Sequence, residues 1–368
     1  MSPTTHEQAS GSPVPGLEGW PVPNHFSIVS IAHGGETERA RIEMGDGREL
    51  TGDAVRLDSV ATMLEFRPDG APASQFIRFS SFKKLCLTRP VELERLRLAI
   101  PPENVDAYPS HAGLNFTIRF KDGSEFSSPI LGLVARRIGL FPYLTGEPGS
   151  VLRWFMPAEA TSGCRIGDAL GKILVERAVV SSDIVEAGLE RQRRQRATKF
   201  GEFLCRQGIV TREQVEACLL AQSGQRHLKL GEVLVARGYV TAEQRDQALA
   251  DQAVERGMPL GEILVQMGAV ARKVLRQALA DQFGLPWVSL RGFRFEREAI
   301  DAISPEAARR HLVVPLYRSG VRIVLALSNP VDWEAVEEIE SASGSRVDPV
   351  LSSREDLREA IARHYGPG

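Results

Sequence analysis

Four glycines, Gly171, Gly201, Gly231 and Gly261, stand thirty residues apart, and four glutamines, Gln192, Gln222, Gln252 and Gln282, keep the same interval. Two independent ladders with one period define a tandem array, in which each unit buries its apolar face only against its neighbours. The apolar positions keep step. Leu174, Leu204, Leu234 and Leu264 follow the glycine by three residues, and Leu189, Leu219, Leu249 and Leu279 follow it by eighteen. Each copy reads as a pair of short helices. The break falls at Gly208, Gly238 and Gly268, where glycine takes the left-handed conformation that closes a helix, with Ala178 as the exception in copy one. The second helix opens on a reciprocal cap, Thr211 with Gln214 and Thr241 with Gln244. Copy one has Ser181 and Ile184 at these positions and copy four has Ala271 and Val274, the atypical ends of an array.

Ahead of the array, residues 1–25 are rich in Pro, Ser and Gly without periodicity and read as a flexible tail. Residues 26–157 then read as a mostly-β domain with short strands at Phe26–Ile31, Ala40–Met44, Met63–Phe66, Phe76–Phe79, Leu85–Leu87, Leu114–Phe120 and Val151–Phe155. Turn signals at Gly45-Asp46-Gly47 and Asp122-Gly123 separate them. The stretches that start at Asp46 and Asp122 align loosely, each beginning D-G-x-E. Two copies of a small β-barrel-like module would give this match, and so would shared hairpin grammar; both readings stand. The cluster Arg78, Lys83, Lys84 and Arg89 reads as a solvated face.

Composition excludes several classes. With 45 Lys+Arg against 47 Asp+Glu the net charge is -2, which argues against a partner that is a nucleic-acid polymer. The longest apolar stretch, Val321 to Leu327, is far below the ~20 residues that cross a bilayer, and the polar start has no signal-peptide core, so a cytoplasmic protein without direct membrane insertion is expected. Cys86, Cys164, Cys205 and Cys218 are scattered, which indicates neither a disulfide framework nor a zinc site. The seven histidines each stand alone, so no metal site is expected. The segment Gly167 to Ile173 superficially resembles a phosphate loop but is one residue short and has Ile173 where a Mg²⁺-binding hydroxyl belongs. No catalytic residue and no cofactor is indicated, and the chain reads as non-enzymatic.

After Phe283, helical stretches near Glu296 to Arg310 and Trp333 to Ala342 alternate with strands Val313 to Tyr317, Val321 to Leu327 and Val347 to Leu351, before a last helix near Arg354 to His364. The fold class is therefore multidomain α+β: a tail (1–25), an N-terminal mostly-β region (26–157), central helical-hairpin repeats (163–290) and a C-terminal α+β subdomain (291–366).

The units KFGEFLCRQGIVTREQVEACLLAQ (Lys199 to Gln222) and KLGEVLVARGYVTAEQRDQALADQ (Lys229 to Gln252) resemble the pattern R-L-G-x-x-L-x-x-x-G-x-x-x-x-x-x-L-x-x-x-L-x-x-Q. That is the tandem motif of the MshEN-type N-terminal domain of type II secretion and type IV pilus assembly ATPases. FGLPWVSL (Phe283 to Leu290) resembles the strand after the last motif, and the segment from Ile303 resembles the following α+β subdomain. The resemblance implies that two motifs embrace one molecule of cyclic di-GMP, and that the pair directly before Phe283, copies three and four, forms the site. It assigns ligand contacts to Lys199, Phe200, Gly201, Val215, Leu219 and Gln222, to Lys229, Leu230, Gly231, Arg245, Leu249 and Gln252, and to Leu260, Gly261 and Gln282.

Chemically, the glycine would let a base or phosphate approach the backbone, the leucines would wall the base, and Gln would offer both donor and acceptor to a guanine edge. The leading position holds Ala169, Lys199, Lys229 and Pro259 in place of the family arginine, so the bidentate fork is absent from this register. The basic run Arg191, Arg193, Arg194, Arg196, Lys199 reads as a solvated helix end that could also neutralise a diphosphate ring. His227 could stack on a base. The chain stops at Gly368, where the motor of the secretion ATPases would begin. The expected role is a cytoplasmic cyclic di-GMP receptor or adaptor serving a secretion, pilus or polysaccharide-export component. The alternative is a nucleotide-independent interaction module of such a machine.

Overall fold

The structure, a computed structural model, describes residues 20–31, 37–96, 98, 100–110, 113–146, 149–223, 229–330 and 332–366. Most of the expected tail and His227 lie outside these residues. The chain divides into two compact units, residues 1–169 with 276–368, and residues 170–275.

The first unit opens with strands β1 (Phe26–Ile31), β2 (Glu38–Met44), β3 (Glu49–Asp58), β4 (Met63–Pro68), β5 (Gln75–Arg78) and β6 (Phe82–Arg95). A short β7 (Val105–Ala107) follows, then β8 (Leu114–Phe120), β9 (Glu125–Arg136), β10 (Gly139–Thr145), β11 (Val151–Pro157) and β12 (Thr161–Ile166). All except β7 form one antiparallel sheet, ordered β12-β8-β9-β10-β11-β6-β2-β3-β4-β5, with β1 also on β6. Strands β3, β7, β9, β10 and β12 had no counterpart in the sequence reading.

The order hides a duplication. In β2–β6 each strand pairs with the next up to β5, a 3-10 turn at Phe79–Ser81 follows, and β6 returns to pair with β2. In β8–β12 the same pairings recur, with a 3-10 turn at Ala158–Ala160 before β12 returns to β8. The turns match bond for bond. Asp46 accepts from Arg48 N at 3.0 Å and Asp122 from Ser124 N at 2.9 Å; Gly45 N reaches Ser81 O and Lys121 N reaches Ala160 O, both at 2.9 Å. Shared hairpin grammar would reproduce the turns but not the returning strand, so this geometry supports two copies of one module. Phe66, Phe79, Phe82, Phe141 and Phe155 fill the core that spans both. Glu38 and Arg153 form an ion pair buried within the sheet region.

The second unit holds four seven-residue helices, α1 (Leu170–Glu176), α3 (Phe200–Arg206), α5 (Leu230–Ala236) and α7 (Leu260–Gln266). They alternate with longer helices α2 (Ser182–Ala197), α4 (Arg212–Ser223), α6 (Ala242–Arg256) and α8 (Arg272–Phe283), the unit boundary falling within α8. The linking residues Ala178, Gly208, Gly238 and Gly268 all have positive φ, between 54° and 72°. Thr211 with Gln214, and Thr241 with Gln244, exchange side-chain to backbone bonds of 2.8–3.3 Å, whereas Ser181 supplies only one 3.4 Å bond, to Ile184 N.

The chain ends with β13 (Trp287–Val288), α9 (Arg297–Asp301), α10 (Pro305–His311), β14 (Val313–Ser319), β15 (Arg322–Leu327), α11 (Trp333–Ser343), β16 (Arg346–Leu351) and α12 (Arg354–Tyr365). The single helix expected over Glu296 to Arg310 is two, because Pro305 opens α10 and Ser304 caps it at 3.1 Å. The five-stranded sheet runs β14-β15-β16-β13-β7. Its last strand therefore comes from the linker between the two β modules. Ile100, from the same linker, enters the hydrophobic core beneath this sheet.

Candidate functional site

Within the helical unit neighbouring side chains crowd the place of a Cβ at every ladder glycine, most tightly at Gly171, Gly201 and Gly261. A Cβ on Gly171 would lie 2.6 Å from Val185, one on Gly201 2.7 Å from Val215, one on Gly231 3.1 Å from Arg245, and one on Gly261 2.6 Å from Leu275. In every copy the residue fourteen positions on, from the partner helix, covers the glycine. A second contact crosses between copies. A Cβ on Gly201 would also lie 3.1 Å from Leu230 and one on Gly231 3.4 Å from Phe200, an exchange that joins copies two and three. A Cβ on Gly261 would lie 3.1 Å from Leu170, and one on Gly188 3.0 Å from both Leu260 and Leu264, which joins copies one and four. In the direction a Cβ would take, side chains of the unit itself fill the space beside each glycine, so close helix packing is one demand that glycine meets there.

The ladder glutamines are also engaged. Gln252 is buried and donates through Nε2 to Thr198 O at 3.0 Å, the carbonyl just before the leading residue of copy two. Gln192 does the same to Met258 O at 2.9 Å, just before the leading residue of copy four. Both tie together the copies that the glycines join. Backbone acceptors leave no trace in a sequence, so this role had no legible signal. The side chain of Gln222 lies outside the described residues, and Gln282 belongs to the other compact unit. There its carbonyl oxygen would lie 1.9 Å from a Cβ on Gly167, whose φ is +69°. Gly167 is thus required for close approach, and the segment that resembles a phosphate loop starts as a packed turn, Gly167 N donating to Asn115 O at 2.6 Å.

What remains open to solvent is narrower than the predicted set. Lys199 and Lys229 are exposed, and Leu219 and Leu249 are 47% and 44% exposed. Phe200, Leu230 and Leu260 are half-buried, and Val215 is buried. Arg245 is half-buried across Gly231, with its guanidinium on Asp246 at 2.7 Å. Copies two and three therefore bring together Phe200, Gly201, Val215, Leu230, Gly231 and Arg245, while Leu260 and Gly261 go with copy one. The basic run is partly neutralised: Arg193 and Arg194 reach Glu190 at 3.5 and 3.1 Å, and the Arg194 guanidinium holds that carboxyl below the usual carboxylate range. Arg191, Gln195, Arg206, Asp251, Glu255 and Gln266 line a polar hollow of about 550 Å³, where Arg206 pairs with Glu255 at 2.5 Å. Among the described residues no cluster of three or more His, Cys, Asp or Glu could hold a metal ion, and no helix is long and apolar enough to cross a membrane.

The MshEN domain family matches residues 283–368, the C-terminal α+β segment. The resemblance read from the sequence holds there; the matched residues begin where α8 ends. The type IV pilus assembly ATPase PilB of Myxococcus xanthus is 34% identical over 84 residues, 23% of this chain and 15% of that protein. PilB of Pseudomonas aeruginosa is 29% identical over 84 residues with the same shares. The chain thus spans about 15% of the length of these curated relatives. Among solved structures, that of MshE with cdg is 22% identical, covering 46% of this chain and 99% of that one at a TM-score of 0.22. The N-terminal domain of XpsE is 22% identical, covering 36% and 93% at a TM-score of 0.24. At such TM-scores the structural likeness carries no weight.

Proposed function

We propose that the chain is a non-enzymatic, cytoplasmic receptor or adaptor for cyclic di-GMP, without a cofactor, in which copies two and three of a tandem helix-pair array form the ligand face. One observation carries this reading: the reciprocal seating of Leu230 on Gly201 and Phe200 on Gly231. A ligand made of two equal halves is met by two equal subsites related by an exchange, and copies two and three show that exchange in both directions. The match of residues 283–368 to the MshEN domain supports the same direction. Within the face, Lys199 and Lys229 supply ammonium groups to the phosphates and Leu219 and Leu249 supply apolar walls. The glycines, Val215 and Gln252 hold the two copies in register.

Isothermal titration of the full chain tests the reading. Lys199→Ala with Lys229→Ala is expected to weaken binding by about tenfold to a hundredfold, the worth of losing charge-assisted contacts. Absence of heat with about 100 μM cyclic di-GMP, a concentration that detects affinities near -5 kcal/mol, would refute it.

A second reading has its own observation. Leu220 and Val254, 76% and 60% exposed, add to Leu219 and Leu249 as apolar surface on the longer helices, which suits docking onto a secretion, pilus or polysaccharide-export component without nucleotide. Partner retention in a pull-down that does not change when cyclic di-GMP is added would favour it.

A further inference from the structure

The first unit contains a cavity of about 300 Å³ that neither the helix-pair ladder nor the matched family segment accounts for. Leu133 and Leu140 of the second β module line one side and Leu285 and Val336 of the C-terminal segment line the other. Residues 23–26 line it and, with residues 20–22 before them, form a strap. Three backbone carbonyls of this region are tied: Tyr143 Oη donates to Pro21 O at 2.7 Å, Arg346 donates to Val22 O at 2.7 Å, and the His25 ring meets Pro349 O at 2.8 Å. Pro23 lies so close to Gly132 that a Cβ there would come within 2.6 Å of it. The wall is thus built by strands, strap and α11 together, and its volume is at the small end of ligand pockets.

One group, Arg95, makes one end polar. Arg95 lines the cavity, stands 5.7 Å from the Phe26 ring, and has no carboxylate within 4.0 Å among the described residues. His25 also lines it and is 6% exposed. Its Nε2 faces a carbonyl, so Nε2 carries the hydrogen and Nδ1 is left with a lone pair. That Nδ1 is buried without a hydrogen-bond partner; the nearest acid, Asp348, is 4.0 Å away and is held by Arg322 at 2.7 Å. Buried polar atoms are rarely left unsatisfied. The His25 Nδ1 is closed off from the cavity as well as unpaired, so Arg95 is the group a ligand head would meet: a carboxylate would present an oxygen to it, while an aliphatic chain would fill the leucine-lined part.

We propose that this cavity binds a small amphipathic carboxylic acid, with its chain between the second β module and the C-terminal segment and its head at Arg95. The site is separate from the nucleotide face and does not depend on it.

Decanoate is the probe, added to the full chain, with hexanoate, octanoate and decanol for comparison. Cys164 lines the cavity and is exposed, while Cys86 and Cys218 are buried; in a Cys205→Ser background its alkylation by N-ethylmaleimide reports occupancy. Decanoate is expected to slow that alkylation saturably. Affinity should rise about fourfold per added methylene, the worth of burying one, until the cavity is full. Decanol should bind about tenfold more weakly than decanoate, and Arg95→Gln should erase that difference. Leu133→Trp should abolish protection by filling the space; Arg95→Gln, on an exposed side chain, keeps the test sound if Leu133→Trp does not fold. No protection at about 1 mM decanoate, the weak limit of useful affinity, or an unchanged preference for decanoate in Arg95→Gln, would overturn the proposal.

Discussion

The ladder glycines invite a paired substitution, because the four sites differ in what a methyl group would meet. On Gly201 the new Cβ would lie 2.7 Å from Val215 Cγ1, and Val215 cannot swing away, since a β-branched side chain on a helix has one strongly preferred rotamer. On Gly231 the nearest atoms are Arg245 Cδ and Cγ at 3.1 Å, which belong to a long side chain that can shift by a few tenths of an ångström. Overpacking costs about 1–3 kcal/mol, and alanine in place of helical glycine returns up to about 1 kcal/mol. Gly201→Ala should therefore destabilise by about 1–2 kcal/mol, and Gly231→Ala should fall within about 0.5 kcal/mol of neutral. Adding Val215→Ala to Gly201→Ala removes the clash and should recover part of the loss, a coupling that a double-mutant cycle reads directly.

A chain with two compact units need not unfold in one step, so the assay is hydrogen exchange of the α3 and α4 amides rather than a global melt. Gly201→Ala should speed exchange there by about tenfold, and Gly231→Ala should leave α5 and α6 nearly unchanged. Equal destabilisation at both sites would refute the packing account. So would a pair of variants that exchange like the parent yet both lose cyclic di-GMP, because that outcome belongs to glycines kept clear for a ligand.

Two further outcomes follow from the first unit. Ile100→Ala removes a side chain 6% exposed in the core under the C-terminal sheet, and should cost about 2–4 kcal/mol, read as faster exchange in β13 and β16 although residue 100 is far from both in sequence. Acid should loosen the strap: burial pushes His25 below its ordinary value of 6.5, so the unfolded ring binds a proton more readily than the folded one, and stability is full above that pH and falls below it. Burial opposes ionisation of Asp348, yet Arg322 and His25 hold its carboxyl below the ordinary 3.8, so its contribution is lost only in stronger acid. Protection of the strap amides should fall as the pH drops below the ordinary histidine value of 6.5, and His25→Asn, which keeps a residue tolerant of the observed φ of 65°, should flatten that first fall; a fall that persists unchanged would refute the assignment to His25.

The period of the array was legible because identical packing demands recur at identical spacing, as the residues covering Gly171, Gly201, Gly231 and Gly261 show. Which copies pair was not legible: Leu230 on Gly201 and Leu170 on Gly261 look the same in sequence, although one joins neighbours and the other spans the whole array. Among the strands, β9 escaped notice because Ser127, Ser128 and Pro129 interrupt its apolar pattern, and β12 because an edge strand reading TSGCRI buries almost nothing. The three residues of β7 are too few to show any period, and the partner that makes them a strand, β13, lies some 180 positions away. The duplicated β module announced itself only at its Asp-Gly turns, where local chemistry is strict, while the returning strands β6 and β12 share pairing without sharing sequence.

The two features the sequence hid, β7 and the strap, bear on what the segment matched to the MshEN domain can do. Residues 283–368 supply four of the five strands of their sheet, and the fifth arrives from between the β modules. The same segment receives Arg136 on Glu340 at 2.7 Å and the backbone of Arg137 on Glu337 at 2.8 Å from the second module, and it grips the strap through Arg346 and Asp348. Stripping those elements away would expose the β13 edge and leave Asp348 and Arg322 without the buried histidine beside them. In this chain the matched segment is therefore paired and packed with the β modules inside one compact unit. A change in its packing has a direct mechanical route into the β modules through β7 and the strap, whereas a domain joined only by a linker would have none.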